Sequence, residues 1–240
     1  MIFQKFLKPT TLALLAFSFT FVACSDDDEN TTPTPEPLNI VETALETAEL
    51  SSLVAALQAA DGDLVTVLSG GEFTVLAPTN AAFDSFLTAN GFADLSEVPT
   101  DVLANILLNH VVAGTVMSTD LTAAGAGYTQ TNATNMDGDV LSLYFNTSNG
   151  VVFNGVSTVA QADIEATNGV IHIVDQVIGL PTIATFATAD PTFETLVAAL
   201  TRPDLEVPFV TILSSTGAGT PLTAFAPTND AFGSLLTELG

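Results

Sequence analysis

The chain has 240 residues and a formal net charge of −24 at pH 7, from 27 acidic and three basic side chains. This balance excludes nucleic acid as a partner, because a phosphate backbone is bound by Lys and Arg side chains that displace its counterions. The single cysteine, Cys24, excludes an intramolecular disulfide bond.

Residues 1–23 have the pattern of a secretion signal peptide. Lys5 and Lys8 precede an apolar run from Thr11 to Ala23, which is too short and wrongly flanked to span a bilayer as a mature helix. Phe21-Val-Ala-Cys24 resembles a bacterial lipobox, in which the cysteine becomes the lipidated first residue of the mature chain. We therefore expect a lipid on Cys24 to attach the protein to a membrane. The alternative is a chance cysteine in an ordinary signal peptide.

Residues 24–38 form a predicted tether. Ser25-Asp-Asp-Asp-Glu29 is followed by a segment of alternating Thr and Pro, and such a polar, Pro-rich segment stays extended and unpacked. Ser-Asp-Asp-Asp after a lipidated cysteine also resembles the signal that sends some Gram-negative lipoproteins to the outside of the outer membrane. This predicts an outer-membrane lipoprotein that faces the cell exterior. The alternative is a solvated acidic linker with no targeting role.

The rest of the chain contains an internal repeat. The phrase Thr74-Val-Leu-Ala-Pro-Thr-Asn-Ala-Ala-Phe83 recurs one domain length later as Thr223-Ala-Phe-Ala-Pro-Thr-Asn-Asp-Ala-Phe232. Self-similarity at a fixed spacing is the signature of repeated modules. The sequence therefore predicts one whole module over residues 39–181, the first copy, and the N-terminal part of a second over residues 182–240, the second copy.

The first predicted elements of the first copy are helices. Apolar residues between Ile40 and Ala60 recur at near-helical spacing with a break around Leu50 to Ser52, which predicts two short helices. Phe73 to Leu76 has the composition of a strand, and Pro78 ends it because proline lacks an amide donor. Thr79 is the predicted N-cap of the helix that follows.

The later part of the first copy is predicted to be mostly β-structure. Asp101 to His110 is the last predicted helix, with Thr100 as its cap. Residues Leu141 to Phe145 alternate in polarity, and a Ser-Asn-Gly turn leads to a hairpin partner over Val151 to Val156. Gly169 to Val177 is a predicted β-branched strand. Helices followed by strands, without regular alternation, favour an α+β fold.

Three motifs in this order resemble the fasciclin (FAS1) domain. They are Phe73-Thr-Val-Leu-Ala-Pro-Thr-Asn-Ala-Ala-Phe83, Leu107-Leu-Asn-His-Val-Val112 and Ala166-Thr-Asn-Gly-Val-Ile-His-Ile-Val-Asp-Gln-Val177. The resemblance implies a compact fold, a β-sandwich or wedge with packed helices, in an extracellular or cell-surface protein that mediates adhesion. It implies neither a cofactor nor an enzymatic activity.

Two residue pairs are candidate interaction sites. Asn109-His110 occupies the place where the family often has Tyr-His, the pair implicated in integrin contact in animal members. Because Asn replaces the aromatic residue, the favoured role of His110 is a helix-end side chain that hydrogen-bonds a neighbouring loop. Asp163-Ile164 resembles an Asp-Ile adhesion motif of some members. The favoured role of this pair is again structural, as a turn carboxylate and a core isoleucine at the start of a strand.

No catalytic residue and no metal ligand set is predicted. Two histidines and a lipidated cysteine do not provide three zinc ligands, and His172, between β-branched neighbours, is typical of a core histidine. Asp61-Gly-Asp63 and Asp137-Gly-Asp139 each match only part of a calcium-binding loop, without its final Glu. A weak calcium dependence therefore stays open. The sequence has no Gly-x-Ser-x-Gly elbow, phosphate loop or dinucleotide fingerprint.

Together these features predict a lipid-anchored cell-surface adhesion module that binds another protein, cell or polysaccharide. Weak binding by each module would be multiplied by avidity between many tethered copies. The alternative is binding of a small hydrophobic ligand or pigment in the groove between sheet and helices, which 16 Phe and 48% hydrophobic residues permit. A ligand binder is expected to purify with an extractable molecule, whereas an adhesin is expected to bind whole cells or polymers.

Overall fold

A computed structural model describes residues 37–216 and 222–239. The predicted signal peptide, Cys24 and most of the predicted tether lie outside the described residues. The helices are α1 (Ile40–Glu46), α2 (Ser51–Ala59), α3 (Leu64–Gly70), α4 (Asn80–Asn90), α5 (Thr100–Leu108), α6 (Ser118–Ala124), α7 (Ile183–Ala189), α8 (Glu194–Leu200), α9 (Phe209–Leu213) and α10 (Asn229–Leu239). The strands are β1 (Phe73–Pro78), β2 (Val111–Ala113), β3 (Ala126–Thr134), β4 (Val140–Asn146), β5 (Val152–Phe153), β6 (Ser157–Ala166) and β7 (Gly169–Val174).

The strands form a seven-stranded sheet in the order β2-β1-β7-β6-β5-β4-β3. Strand β1 pairs in parallel with β7 and antiparallel with β2, and the remaining pairings are antiparallel. Although β2 and β3 stand at opposite ends of this order, they pack against each other. The sheet therefore folds back on itself into a wedge with helices around it, which confirms the predicted α+β fold.

Strand β1 separates two hydrophobic cores. Val75 and Ala77 belong to the larger core, which α1 to α5 cover, whereas Leu76 between them belongs to a smaller core inside the folded sheet. This follows from the strand period, because successive side chains point to opposite faces. Strand β7 behaves in the same way, with Ile173 in the larger core and Val174 in the smaller one. Strands β1 and β7 are thus buried on both faces.

Several predicted boundaries agree with the structure and others do not. Thr79 is the N-cap of α4, where its hydroxyl accepts a hydrogen bond from the Ala82 amide at 3.2 Å, as predicted. The two short helices form as predicted, but the break lies earlier than Leu50 to Ser52, because α1 ends at Glu46 and a 3-10 turn then leads directly into α2. Thr100 was wrongly predicted as a cap. It is the first residue of α5, and its hydroxyl donates to Asp61 at 2.9 Å.

Burial also departs from the predicted pattern at two positions. Val102, placed on the apolar side of α5 by its spacing, is 41% exposed. Tyr144, expected to alternate outward in β4, is buried between Leu143 and Phe145. Strand β4 is therefore covered on both faces, because the sheet folds back over it. The hairpin pairing itself was predicted correctly, with Phe145 opposite Phe153.

One side chain of the repeated phrase forms the same clamp in both copies. In the first copy, the Asn80 carbonyl oxygen accepts from the Ser52 amide at 2.8 Å and its amide group donates to the Ala48 carbonyl at 3.1 Å. In the second copy, Asn229 accepts from the Thr195 amide at 2.9 Å and donates to the Pro191 carbonyl at 2.9 Å. The asparagine of the phrase therefore fixes the start of one helix against the start of another.

The strand of the phrase, by contrast, forms only in the first copy. Leu76 lies in β1 and is 1% exposed, whereas Phe225, at the equivalent position, is 92% exposed. Residues 222–228 form no strand, although α10 follows them as α4 follows β1. The described residues of the second copy thus repeat the helices without the sheet that covers them in the first. The domain boundary at residue 182 stays a prediction.

The start of the second copy packs on the first through one tyrosine. The Tyr128 hydroxyl in β3 donates to the Asp190 carboxylate at 2.9 Å, and its ring meets the Phe186 ring edge-on at a centroid distance of 5.7 Å. Asp190 is buried at the end of α7.

No single helix within residues 37–216 and 222–239 has the length and apolar composition to cross a membrane. Ala48–Ala59 and Leu64–Gly70 meet that test only as a pair bent by 111°.

Candidate functional site

Asn109 and His110 lie at the end of α5, and both bind the segment that follows β7. The Ile178 amide donates to His110 Nε2 at 2.8 Å, and His110 Nδ1 donates to the Ile106 carbonyl at 2.8 Å. Asn109 Nδ2 donates to the Gly179 carbonyl at 3.0 Å. Because Nε2 accepts and Nδ1 donates, the imidazole is the neutral Nδ1–H tautomer. Asn109 and His110 therefore hold the segment that connects the two copies against the end of α5 in the first copy.

Burial decides what this pair can do. Asn109 is 0% exposed and His110 is 1% exposed, so neither offers a partner a contact surface in this conformation. The structure thus gives His110 the favoured role of a helix-end group that hydrogen-bonds a loop. Burial lowers the pKa of His110 to about 4, and its hydrogen bond to the Ile106 carbonyl opposes the shift. The ring is therefore uncharged at neutral pH.

Asp163 lies on a β-bulge within β6 rather than at the start of a strand. Its φ angle is +59°, and two residues of β6 stand opposite the single residue His172 of β7. The Asp163 amide donates to His172 Nδ1 at 3.1 Å. Its neighbour Ile164 packs partly buried against the larger core, as the structural alternative predicted. Because of the bulge, Ile164 packs against the larger core, whereas the Asp163 carboxylate lies at the surface.

The Asp163 carboxylate is held in place by Ser118 at the start of α6. One carboxylate oxygen accepts from the Ser118 amide at 2.8 Å, and the other accepts from the Ser118 hydroxyl. These hydrogen bonds hold the pKa of Asp163 below its ordinary value, so the group is ionised at neutral pH. The side chain remains 29% exposed. It is therefore far more accessible than Asn109 and His110, which are buried.

His172 completes this arrangement from inside the fold. The ring is buried, its Nε2 donates to the Val116 carbonyl at 2.9 Å, and its Nδ1 accepts from the Asp163 amide. It therefore ties β7 to the bulge and to the loop before α6, which is the predicted role of a core histidine. Ser118 was not predicted, because it is 45 residues from Asp163 in sequence and has no motif of its own.

The two Asp-Gly-Asp segments serve as hydrogen-bonded turns. In the second of them, the Asn135 side-chain oxygen accepts from the amides of Asp137 and Asp139, each at 2.9 Å. In the first, Asp61 accepts from Thr100. Among the described residues no three acidic, histidine or cysteine side chains come together as a metal site. Calcium dependence stays a prediction without a geometric site.

Comparison with known proteins gives one family and several relatives. Residues 48–181 match the family model described as the Fasciclin domain. The chain is 38% identical to Protein sll1483 of Synechocystis sp. over 142 residues, which cover 59% of this chain and 73% of that protein. It is 38% identical to the cell surface glycolipoprotein MPB83 of Mycobacterium bovis over 104 residues, which cover 36% of this chain and 46% of that protein.

Among solved structures, the chain is similar to a FAS1 domain pair from the insect cell adhesion molecule Fasciclin I. The identity is 21% and the TM-score 0.48, and the match covers 80% of this chain and 63% of that one. The chain thus spans less than two thirds of that structure, and less than half of the mycobacterial glycolipoprotein.

Proposed function

Because the chain belongs to the fasciclin domain family, we propose that it is a cell-surface adhesion module whose partner is a protein or polysaccharide of another cell. A relative named as a cell surface glycolipoprotein supports surface display and the lipid on Cys24. In this proposal the tether of residues 24–38 holds the module outside the outer membrane. Many tethered copies give avidity, so each contact needs only modest affinity.

The observation that carries the proposal is the geometry of Asp163. A non-glycine residue with positive φ is under backbone strain, and it persists only where neighbours hold it. Here Ser118 and His172 hold both the carboxylate and the backbone amide. A carboxylate has about four acceptor positions, and two hydrogen bonds to Ser118 leave about half of them free. The result is a fixed anionic acceptor at the surface of a rigid sheet.

The charge of the chain narrows the class of partner. With a formal net charge of −24, the protein repels anionic surfaces, so the contacting group on the partner is a cation or a hydrogen-bond donor. Hydroxyl-rich polysaccharides and basic protein surfaces both supply such donors to a carboxylate. Phosphate-rich polymers do not. If the partner is basic, the proposal therefore predicts that binding weakens as the salt concentration rises, because salt screens the acidic surface.

A pair of matched variants tests the role of Asp163. Asp163→Asn keeps the size and an acceptor for Ser118 but removes the charge, whereas Asp137→Asn removes the same charge from an exposed turn. A hydrogen bond to a charged group is worth about 1.5–3 kcal/mol, so we expect Asp163→Asn to weaken binding of the purified protein to cells about tenfold or more. Asp137→Asn should bind like the parent. Equal binding by the two variants would contradict this role of Asp163.

A further inference from the structure

We propose that the chain has a second, independent binding function: a cavity inside the folded sheet takes a small apolar molecule whose polar end is neutral or cationic. The cavity has a volume of about 270 Å³ and lies where the two ends of the sheet approach each other. Leu76 and Val112 of β1 and β2 form one wall, Phe145 and Phe153 of β4 and β5 form the other, and Leu121 of α6 closes it.

The cavity is a pocket that opens to the surface, since Asp120, Ala124 and Tyr128 of its lining are exposed. Its volume of about 270 Å³ is slightly below the roughly 300–1,000 Å³ typical of sites for drug-sized ligands, so it suits a small molecule. The five wall residues are all members of the smaller core, so the inner part of the pocket is apolar. Apolar walls offer water few hydrogen bonds, which leaves an apolar molecule as the better occupant.

Most polar groups around the cavity are already engaged within the protein. The Thr74 hydroxyl donates to the Gly114 carbonyl at 2.7 Å and accepts from the Val116 amide at 2.8 Å. The Tyr128 hydroxyl donates to Asp190. Both hydroxyl groups are therefore already hydrogen-bonded within the protein and do not select a ligand. The body of the ligand meets an apolar surface, and its polar end must be recognised elsewhere.

Asp120 supplies that recognition at the opening of the cavity. It is an exposed lining residue, and one of its carboxylate oxygens accepts from the Met117 amide at 3.0 Å. A carboxylate only accepts hydrogen bonds, so it favours a ligand end that donates one, such as an amine or a hydroxyl. A ligand carboxylate would be repelled by Asp120 and by the net charge of −24. Charge thus separates amines and alcohols from fatty acids of the same length.

The chain has a built-in reporter for this test. It contains no Trp and two Tyr, and Tyr128 lines the cavity with the Tyr144 ring 5.0 Å away. Titration of tyrosine fluorescence, checked by calorimetry, therefore measures occupancy directly. The probes are octylamine, octanol and octanoate, which share one alkyl chain and differ in the polar end. They are added to the mature chain below the concentrations at which they form micelles.

We expect saturable binding of octylamine and octanol, and binding of octanoate weaker by about tenfold or more, which is the effect of one unfavourable charge contact. Asp120→Asn should reduce the difference between octylamine and octanoate. Absence of saturable binding for all three probes, or binding of octanoate as tight as that of octylamine, would overturn the proposal.

Two further variants locate the binding in the cavity. Ala123 and Ala124 are adjacent exposed residues of α6, but only Ala124 lines the cavity. Ala124→Phe should lower octylamine affinity about tenfold, because a phenyl group at the opening takes up the space of the ligand. Ala123→Phe should bind like the parent and should report any general effect of an added aromatic ring on α6. Equal affinities of the two variants would place the binding elsewhere and overturn the proposal.

Discussion

Replacement of Gly169 by alanine is expected to destroy the folded sheet. Gly169 has a φ angle of +141°, and a Cβ atom there would lie 1.9 Å from the carbonyl oxygen of Phe73. The two residues form the first pair of the parallel strands β1 and β7. Because the obstructing atoms belong to the backbone of β1, no change of side-chain rotamer removes the clash. Strands β1 and β7 would have to separate at this end.

The cost of Gly169→Ala should be among the largest for a single substitution, above about 4 kcal/mol of unfolding free energy. An ordinary domain is stabilised by roughly 5–15 kcal/mol, so this loss is about a quarter of the upper value and most of the lower one. Chemical denaturation followed by circular dichroism measures it. The matched control is Gly70→Ala at the end of α3, where an added Cβ has no atom within 4 Å. A Gly169→Ala protein as stable as the Gly70→Ala control would contradict this reading of the β1–β7 contact.

Mild acid is expected to destabilise the protein through His110. The pKa of this histidine is lowered by burial to about 4 in the folded state, whereas an unfolded histidine has a pKa of about 6.5. As the pH falls below about 6.5, His110 becomes protonated in the unfolded chain, whereas in the folded chain it stays neutral until about pH 4. Stability is therefore unaffected above about pH 6.5 and falls by roughly 1.4 kcal/mol per pH unit through that window.

The structural reason is the bond between His110 and the connection to the second copy. A proton on Nε2 would point at the Ile178 amide, which now donates to that nitrogen at 2.8 Å. Protonation thus requires that the Ile178–Gly179 segment leave the end of α5. Denaturation at pH 7 and pH 5 measures the loss, and His110→Gln should reduce the pH dependence in that range even if it lowers stability at pH 7. The same pH slope in the variant and the parent would exclude His110 as the cause.

Local chemistry made several elements predictable. Pro78 and Thr79 end a strand and cap a helix through interactions with their own neighbours, so a short sequence window contains the whole cause. The placement of Thr100 failed at the same level of detail. Threonine is favoured at the N-cap, yet Pro99 takes that position and the Thr100 hydroxyl bonds Asp61, 39 residues away, which a short sequence window does not contain.

The features that depend on the folding of the sheet could not be predicted. The bulge at Asp163 results from the register between β6 and β7, and its support comes from Ser118 across the fold. Strand β3 has a largely polar sequence and a weak periodic signal, yet it packs against β2 because the sheet closes on itself. Tyr144 is buried for the same reason. Distant pairings of this kind leave no pattern in one sequence.

The repeat was predictable as a repeat, but its structure was not. The Ala-Pro-Thr-Asn phrase builds the same cap and asparagine clamp in both copies, since those contacts involve only nearby helices. The strand before it needs partners from β2 and β7, which come from later in the module. Among the described residues of the second copy no strand pairs with residues 222–228, and Phe225 is exposed. The same motif therefore follows a strand in the first copy and no strand in the second, because the strand depends on partners outside the motif.

Surface display and adhesion are tested most directly in intact cells of the native host. Cells are treated with protease, immunoblotted for this protein, and compared for aggregation with untreated cells, a deletion strain and a strain carrying Asp163→Asn. We expect the protein to be removed from the surface, and aggregation to fall to the level of the deletion strain, with the variant strain in between. A protein that is protected from protease in intact cells, or a deletion strain that aggregates like the parent, would contradict a surface adhesion module.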